Sequence, residues 1–328
     1  MAGPLRLEWR AFAFALPQPL HTARGVVATR RGWLLRLVAA DGAVGWGEVA
    51  PWEGAGAGEH RRCAAALATL TGPLAPLELD RRLPGWPPPL AFGLGLALAE
   101  LAGLGQPGDG WRPAPPSAWL LPAGPAMLPA LERAVAAWAG AGPFTLKWKV
   151  AAGDDAAERA LFDQLLERLP ATARLRLDAN AGWDRTTAAA WADRLAGEPR
   201  LEWLEQPLAA ADLDGLTALA ARLPLALDES LQADPPLRDR WPGWQVRRPA
   251  LEGDPRPLLA ALAAGRPRWM VSTALESGVG RRLVEHAAAL QWAGPTPTAP
   301  GLAPGWRPGG PLFGMDPEAA WHSLRPAP

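Results

Sequence analysis

From Leu5 the chain alternates apolar with charged side chains, setting Leu5, Leu7 and Trp9 against Arg6, Glu8 and Arg10, before the apolar run Ala11 to Leu16. A period of two places each set on its own face of an extended chain, so residues 5 to 16 are predicted to be a half-buried strand rather than a signal peptide, and no export is expected. Residues 25 to 39 and 43 to 49 read as two further strands, joined by an Asp41-Gly42 turn into a hairpin. The pattern then changes. Glu59 to Leu70 and Leu90 to Leu104 are Ala-rich and almost continuously apolar, as packed helices are, with the Pro-rich segment Pro84 to Pro89 between them. The first third of the chain is expected to be a compact α+β module.

After a second break at Pro113-Ala114-Pro115-Pro116, short apolar strands alternate with helical stretches, the order of parallel βα units. The candidate strands are Ser117 to Leu121, Phe144 to Val150, Leu175 to Asp178, Leu201 to Glu205, Leu225 to Asp228, Trp244 to Arg248, Trp269 to Thr273 and Thr296 to Ala299. Their starts lie ~20 to 30 residues apart, the repeat of a closed eight-stranded barrel. A doubly wound open sheet is the alternative, but no Gly-rich phosphate loop follows the first strand. The Pro- and Gly-rich tail from Gly301 is expected to pack back on the first module, and the segment Pro17 to Gly25 to form a loop.

Lys plus Arg equals Asp plus Glu at 33 each, so no global field recruits nucleic acid or an anionic membrane. No apolar run approaches the ~20 residues that span a bilayer, so no membrane insertion is expected. A small-molecule partner and a soluble protein are what remain; protein partners are not addressed by the sequence. The single cysteine, Cys63, excludes an internal disulfide and a cysteine metal cluster, and is read as an inert helix residue in a reducing compartment.

Three consecutive candidate strands end on carboxylates: Asp178 in Leu-Asp-Ala-Asn, Glu205 in Glu-Gln-Pro and Asp228 in Asp-Glu-Ser. The C-terminal ends of barrel strands converge on one mouth, where three hard oxygen ligands favour Mg²⁺. Taken singly, each would be read as a cap of the following helix. The second strand ends in Lys147-Trp148-Lys149, and alternation puts both ammonium groups on one face. Two like charges disfavour each other's protonation, so one amine can be neutral near physiological pH. Were the phase reversed, the pair would form a solvated outer face with Trp148 turned inward.

The Lys-x-Lys pair, the three strand-end carboxylates, Gly45-Trp46-Gly47-Glu48-Val49-Ala50-Pro51 and Leu275-Glu276-Ser277-Gly278 together resemble the enolase superfamily and, within it, the o-succinylbenzoate synthase family. The resemblance spans essentially the whole chain. It implies a modified (β/α)₇β TIM barrel over residues 116–300 under an N-terminal α+β capping domain, residues 1–115, with 301–328 packed back on it. It also implies Mg²⁺, with Mn²⁺ as the alternative ion, held by Asp178, Glu205 and Asp228. Lys149 would be the acid/base catalyst, with Lys147 beside it. Asn180 and Arg176, which flank Asp178, would support that ligand or orient a carboxylate. Ser272, Thr273 and Ser277 lie after the seventh strand, where barrel loops touch substrate but turn formers are also routine, and Glu276 is placed with them as a substrate-binding candidate. The resemblance further implies that the loop from Pro17 to Gly25 would close over the barrel mouth. The implied reaction is a syn-dehydration of 2-succinyl-6-hydroxy-2,4-cyclohexadiene-1-carboxylate to 2-succinylbenzoate through an enediolate, in menaquinone or phylloquinone biosynthesis in the cytoplasm.

One position departs from the family. Where the sixth strand normally carries Lys before Pro, this chain has Arg248-Pro249. An arginine stays protonated and cannot be a general base, so the site offers one base, as a one-face dehydration needs and a racemase does not. Arg248 is left to supply positive charge or to stack on the cyclic intermediate. Other superfamily chemistry on a carboxylate, a muconate-type cycloisomerase or an acid-sugar dehydratase, remains open, as does a catalytically idle ligand-binding barrel. The four histidines show no HExxH spacing.

Overall fold

The computed structural model describes residues 3–22, 25–52, 58–106, 110–140 and 142–325. Four antiparallel strands open the chain, β1 (Leu5–Thr22), β2 (Gly25–Val38), β3 (Val44–Val49) and β4 (Pro73–Leu74), in the order β3-β2-β1-β4. In the β1–β2 ladder Arg6 faces Val38 and Ala15 faces Thr29, then the register shifts before Leu20 meets Val27. β1 therefore runs past Leu16, and the described part of the segment expected as a loop from Pro17 to Gly25 is paired strand, while residues 23–24 lie outside the described residues. The second hairpin turns where expected: Gly42 takes φ 89°, and Asp41 Oδ1 accepts from Ala43 N at 3.0 Å.

Helices α1 (Gly58–Ala68), α2 (Pro76–Arg82) and α3 (Pro88–Leu101) follow. α3 is buried along almost all its length. Its seat on β3 depends on glycine: a Cβ on Gly45 would stand 2.0 Å from the carbonyl oxygen of Ala97, and one on Gly47 2.0 Å from that of Gly93. Helix and strand touch backbone to backbone there. Alternation turns Trp46 and Glu48 to the other face. That face receives the helix Pro317–His322, α12, which brings Trp321 to 5.6 Å from Trp46 in an edge contact. Arg10 adds hydrogen bonds to the carbonyls of Trp321 and Leu324.

The rest of the chain is a parallel sheet with strands in simple sequence order: β5 (Trp119–Leu121), β6 (Thr145–Lys149), β7 (Arg174–Asp178), β8 (Leu201–Glu205), β9 (Leu225–Leu227), β10 (Trp244–Arg247) and β11 (Trp269–Val271). Helices α4 (Met127–Trp138), α5 (Asp155–Arg168), α6 (Arg185–Leu195), α7 (Leu213–Ala220), α8 (Glu229–Ala233), α9 (Leu237–Arg240), α10 (Arg256–Ala263) and α11 (Gly278–Trp292) connect them or, for α11, follow the last. The eighth strand, expected at Thr296 to Ala299, is reduced to a parallel bridge between Ser272 and Gly301. Prolines at 295, 297 and 300 lack the N–H groups a ladder requires. Closure is made by a few bonds instead: Gly301 N donates to Val271 O at 2.9 Å, Thr273 N to Gly301 O at 3.0 Å, and Ala118 N to Pro300 O at 3.0 Å. This joins the last strand to the first through one irregular segment, giving the (β/α)₇β form of the TIM barrel.

Candidate active site

The phase of β6 is set from outside the barrel. Trp148 is fully buried, parallel to the Phe162 ring of α5 at 6.4 Å and edge-on to Trp191 of α6 at 6.5 Å. A slip of one residue would drive Lys147 and Lys149 into that apolar shell. The chain contains two lysines, and both point into the barrel here. In the parallel register Lys149 faces Asp178 and Asp178 faces Glu205, while Glu205 faces Ala226, two residues before Asp228. The three carboxylates and two amines thus share the interior face near the mouth, around a cavity of about 510 Å³ lined by Lys147, Lys149, Asp178, Asn180, Asp228, Glu229 and Arg248 at its polar end.

The two lysines have different surroundings. Lys147 Nζ lies 2.6 Å from Asp178 Oδ2 and 2.5 Å from Glu205 Oε1. Burial disfavours its charge, but the two carboxylates outweigh burial and raise its pKa. Lys149 is held below the ordinary lysine value, chiefly by burial, with Asp178 opposing and Lys147 adding to the depression. Mutual repulsion, expected to be the main cause, is smaller than burial. Arg248 is tied to Asp228 by Nε at 3.0 Å and Nη2 at 2.5 Å, and its Nη1 donates to Thr273 O at 2.7 Å. The donor edge of its guanidinium is committed to these bonds, which makes it the counterion of Asp228.

A fourth carboxylate, Glu229, belongs to the cluster although its sequence position, first in α8, gave it no weight. Burial and repulsion from Asp228 and Asp178 push its pKa up to about 8; burial and Asp178 push Glu205 to about 7. Asp228 is pushed up by burial but held below the carboxylate range by Arg248. Asn180, at φ 44°, donates from Nδ2 to Glu229 Oε1 at 3.3 Å. Gln206 braces the loops behind, accepting from Asp228 N and Ser230 N at 3.1 Å each.

Other expected site residues lie elsewhere. Arg176, two residues before Asp178, is one layer deeper, with its guanidinium 4.0 Å from the Trp203 ring and bonded to Glu202, Thr298 Oγ1 and Ala299 O. It knits the irregular closing segment to β7 and does not line the cavity. Glu276 turns back on its own loop, accepting from Thr273 Oγ1 and Ala274 N. Ser277 caps α11 and donates to Glu48 Oε2 at 2.5 Å, linking barrel to capping sheet. Neither lines the cavity. Ser272 does, with its hydroxyl 3.2 Å from Gly301 O. Cys63 is buried in α1, and burial pushes its thiol up to about 12, which leaves it inert.

Among the described residues no three His, Cys, Asp or Glu side chains already form a metal cage. The donor set nevertheless fits a hard divalent cation. Asp178, Glu205 and Asp228 are buried oxygen donors, crowded enough that Asp178 and Asp228 raise the proton affinity of Glu205, and Asn180 Oδ1 and Glu229 Oε2 beside them are buried without a hydrogen-bond partner among the described residues.

Known proteins agree with this arrangement. Residues 130–237 match the family model described as enolase C-terminal domain-like. An o-succinylbenzoate synthase of Thermosynechococcus vestitus is 38% identical over 86% of this chain and 88% of its own length, and one of Salmonella arizonae 30% over 79% and 78%. The crystal structure of o-succinylbenzoate synthase from Thermosynechococcus elongatus, complexed with Mg in its active site, superimposes with a TM-score of 0.82 at 34% identity, covering 97% of this chain and 100% of that one. By that likeness in sequence and fold, the chain belongs to the o-succinylbenzoate synthase family of the enolase superfamily.

Proposed function

We propose that the protein dehydrates 2-succinyl-6-hydroxy-2,4-cyclohexadiene-1-carboxylate to 2-succinylbenzoate, with Lys149 as the one acid/base. The observation that carries this is the division of labour among interior cations: Lys147 and Arg248 are each bound to carboxylates, and Lys149 faces the cavity with its proton affinity lowered. Lys149 Nζ takes the proton from the carbon next to the ring carboxylate, and the C–O bond to the hydroxyl on the neighbouring carbon breaks. The same nitrogen returns the proton to the departing hydroxide, water leaves, and the ring becomes aromatic. Asp178, Glu205 and Asp228 would hold Mg²⁺, with Asn180 and Glu229 alongside. A bound divalent cation supplies positive charge beside the substrate carboxylate while negative charge builds up during proton removal.

Arg248 favours one-face chemistry, since its guanidinium stays charged and bound to Asp228 and cannot serve as a second base. The ring has apolar walls to rest on, from Trp52, Leu251, Leu275 and Trp306. Among the described residues no helix is long and apolar enough to cross a membrane; the cytoplasm, and a step of menaquinone or phylloquinone synthesis, are the setting we propose. Side-by-side turnover of the cyclohexadiene carboxylate and of cis,cis-muconate tests the assignment. Aromatic product from the first with no lactone from the second is expected, and the reverse would move the protein to the cycloisomerases.

A further inference from the structure

Among the described residues, one cation lining the cavity serves neither in proton transfer nor in a pair with a carboxylate. Arg133 lies on α4 and lines the same space as Lys149, with Ala130 one turn before it and Leu120, Leu121 and Pro122 beside it. Helical side chains lean toward the helix N-terminus, and the N-terminus of α4 follows the mouth end of β5, so Arg133 is directed to the mouth. Arg133 is exposed, and no carboxylate among the described residues pairs with it, whereas Lys147 and Arg248 are neutralised within the site. An exposed arginine on a helix is ordinarily just solvated. This one lies on the helix that follows β5, four strands round the barrel from β9, after which Asp228 stands, and it lines the same cavity.

We propose that Arg133 binds a second, distal carboxylate of the substrate and so determines specificity for a dianion; this rests on the dehydration reading above. A substrate whose ring carboxylate occupies the Asp178–Asp228 end cannot place a second anion there, against Asp178, Asp228 and Glu229. Its aliphatic arm must carry that charge to a cation elsewhere in the cavity. A guanidinium fork suits it, since it binds a carboxylate through two parallel hydrogen bonds.

The test compares wild type, Arg133→Gln and Arg133→Lys in two measurements. In turnover of the cyclohexadiene substrate, Arg133→Gln should raise KM roughly tenfold, with the loss falling on KM rather than kcat, and Arg133→Lys should lie between. In binding, wild type should prefer 2-succinylbenzoate to its methyl ester at the aliphatic carboxyl by roughly tenfold, a preference that Arg133→Gln should lose. An unchanged KM and an unchanged preference in Arg133→Gln, with wild type turning over normally, would overturn the role of Arg133 and leave the dehydration intact. A wild type that neither turns over the first compound nor binds the second would overturn both.

Discussion

The ammonium of Lys147, half-buried, lies 2.5 Å from Oε1 of the buried Glu205, the two on strands separated by β7. Glu205 is surrounded by Asp178 and Asp228, so this lysine offsets repulsion that would otherwise act among three carboxylates. Removing one partner of a buried ion pair costs about 3–5 kcal/mol. Lys147→Met should therefore destabilise the metal-free protein by that order, and added Mg²⁺ should restore more stability to the variant than it adds to wild type. Thermal unfolding with and without Mg²⁺ checks this; equal Mg²⁺ increments in the two proteins would contradict it.

Arg248 holds Asp228 by two nitrogens. Arg248→Ala should leave the Asp228 carboxylate without its counterion and lower kcat/KM by about a hundredfold, while Arg248→Lys, which keeps the charge without the fork, should lose less. Steady-state kinetics of the two variants decides it, and equal losses would show that charge alone does not matter at this position.

Glu48 accepts from Ser277 N, Ser277 Oγ and Gly280 N across the junction of sheet and barrel, yet burial pushes its pKa up to about 7 from 4.5. The folded state therefore holds a proton that the unfolded state has released between those pH values, so stability falls as pH rises through that window. The expected fall is on the order of 3 kcal/mol for this group. Glu100, also pushed up to about 7 by burial, adds a slope of the same sign. Unfolding of Glu48→Gln in saturating Mg²⁺ should show a shallower decline from pH 5 to 7.5 than wild type. An identical decline would mean that Glu48 stays charged throughout.

Gly47→Ala should be far more damaging than Gly42→Ala. The first places a methyl 2.0 Å from the Gly93 carbonyl oxygen, where the α3 and β3 backbones meet; the second places one in open space at φ 89°. Chemical denaturation should give more than about 3 kcal/mol for Gly47→Ala and about 1 kcal/mol for Gly42→Ala.

The strand-end carboxylates and the lysine pair were legible because strand alternation and barrel convergence are rules of local geometry, which a sequence carries. What those side chains touch depends on register between distant strands. Hence the pairing of Lys147 with Asp178 and Glu205, and of Arg248 with Asp228, was out of reach. The eighth strand was misplaced because its apolar character was read and its three prolines were not weighed. Glu229 was passed over as a helix residue next to the strand end that drew attention. Helix α2 was missed because its seven residues, opened by Pro76, are too few to show a helical period. The resemblance of Glu276 and Ser277 to family positions was taken as substrate contact, where the structure uses Ser277 to join the capping sheet to α11.

The most direct measurement is formation of aromatic product from the cyclohexadiene carboxylate by wild type with Mg²⁺, by wild type with chelator, and by Lys149→Ala with Mg²⁺. Turnover is expected only in the first, with Lys149→Ala folded and at least about a thousandfold slower, as loss of the single acid/base requires. Turnover by Lys149→Ala within about tenfold of wild type would contradict the assignment of that amine as the proton carrier.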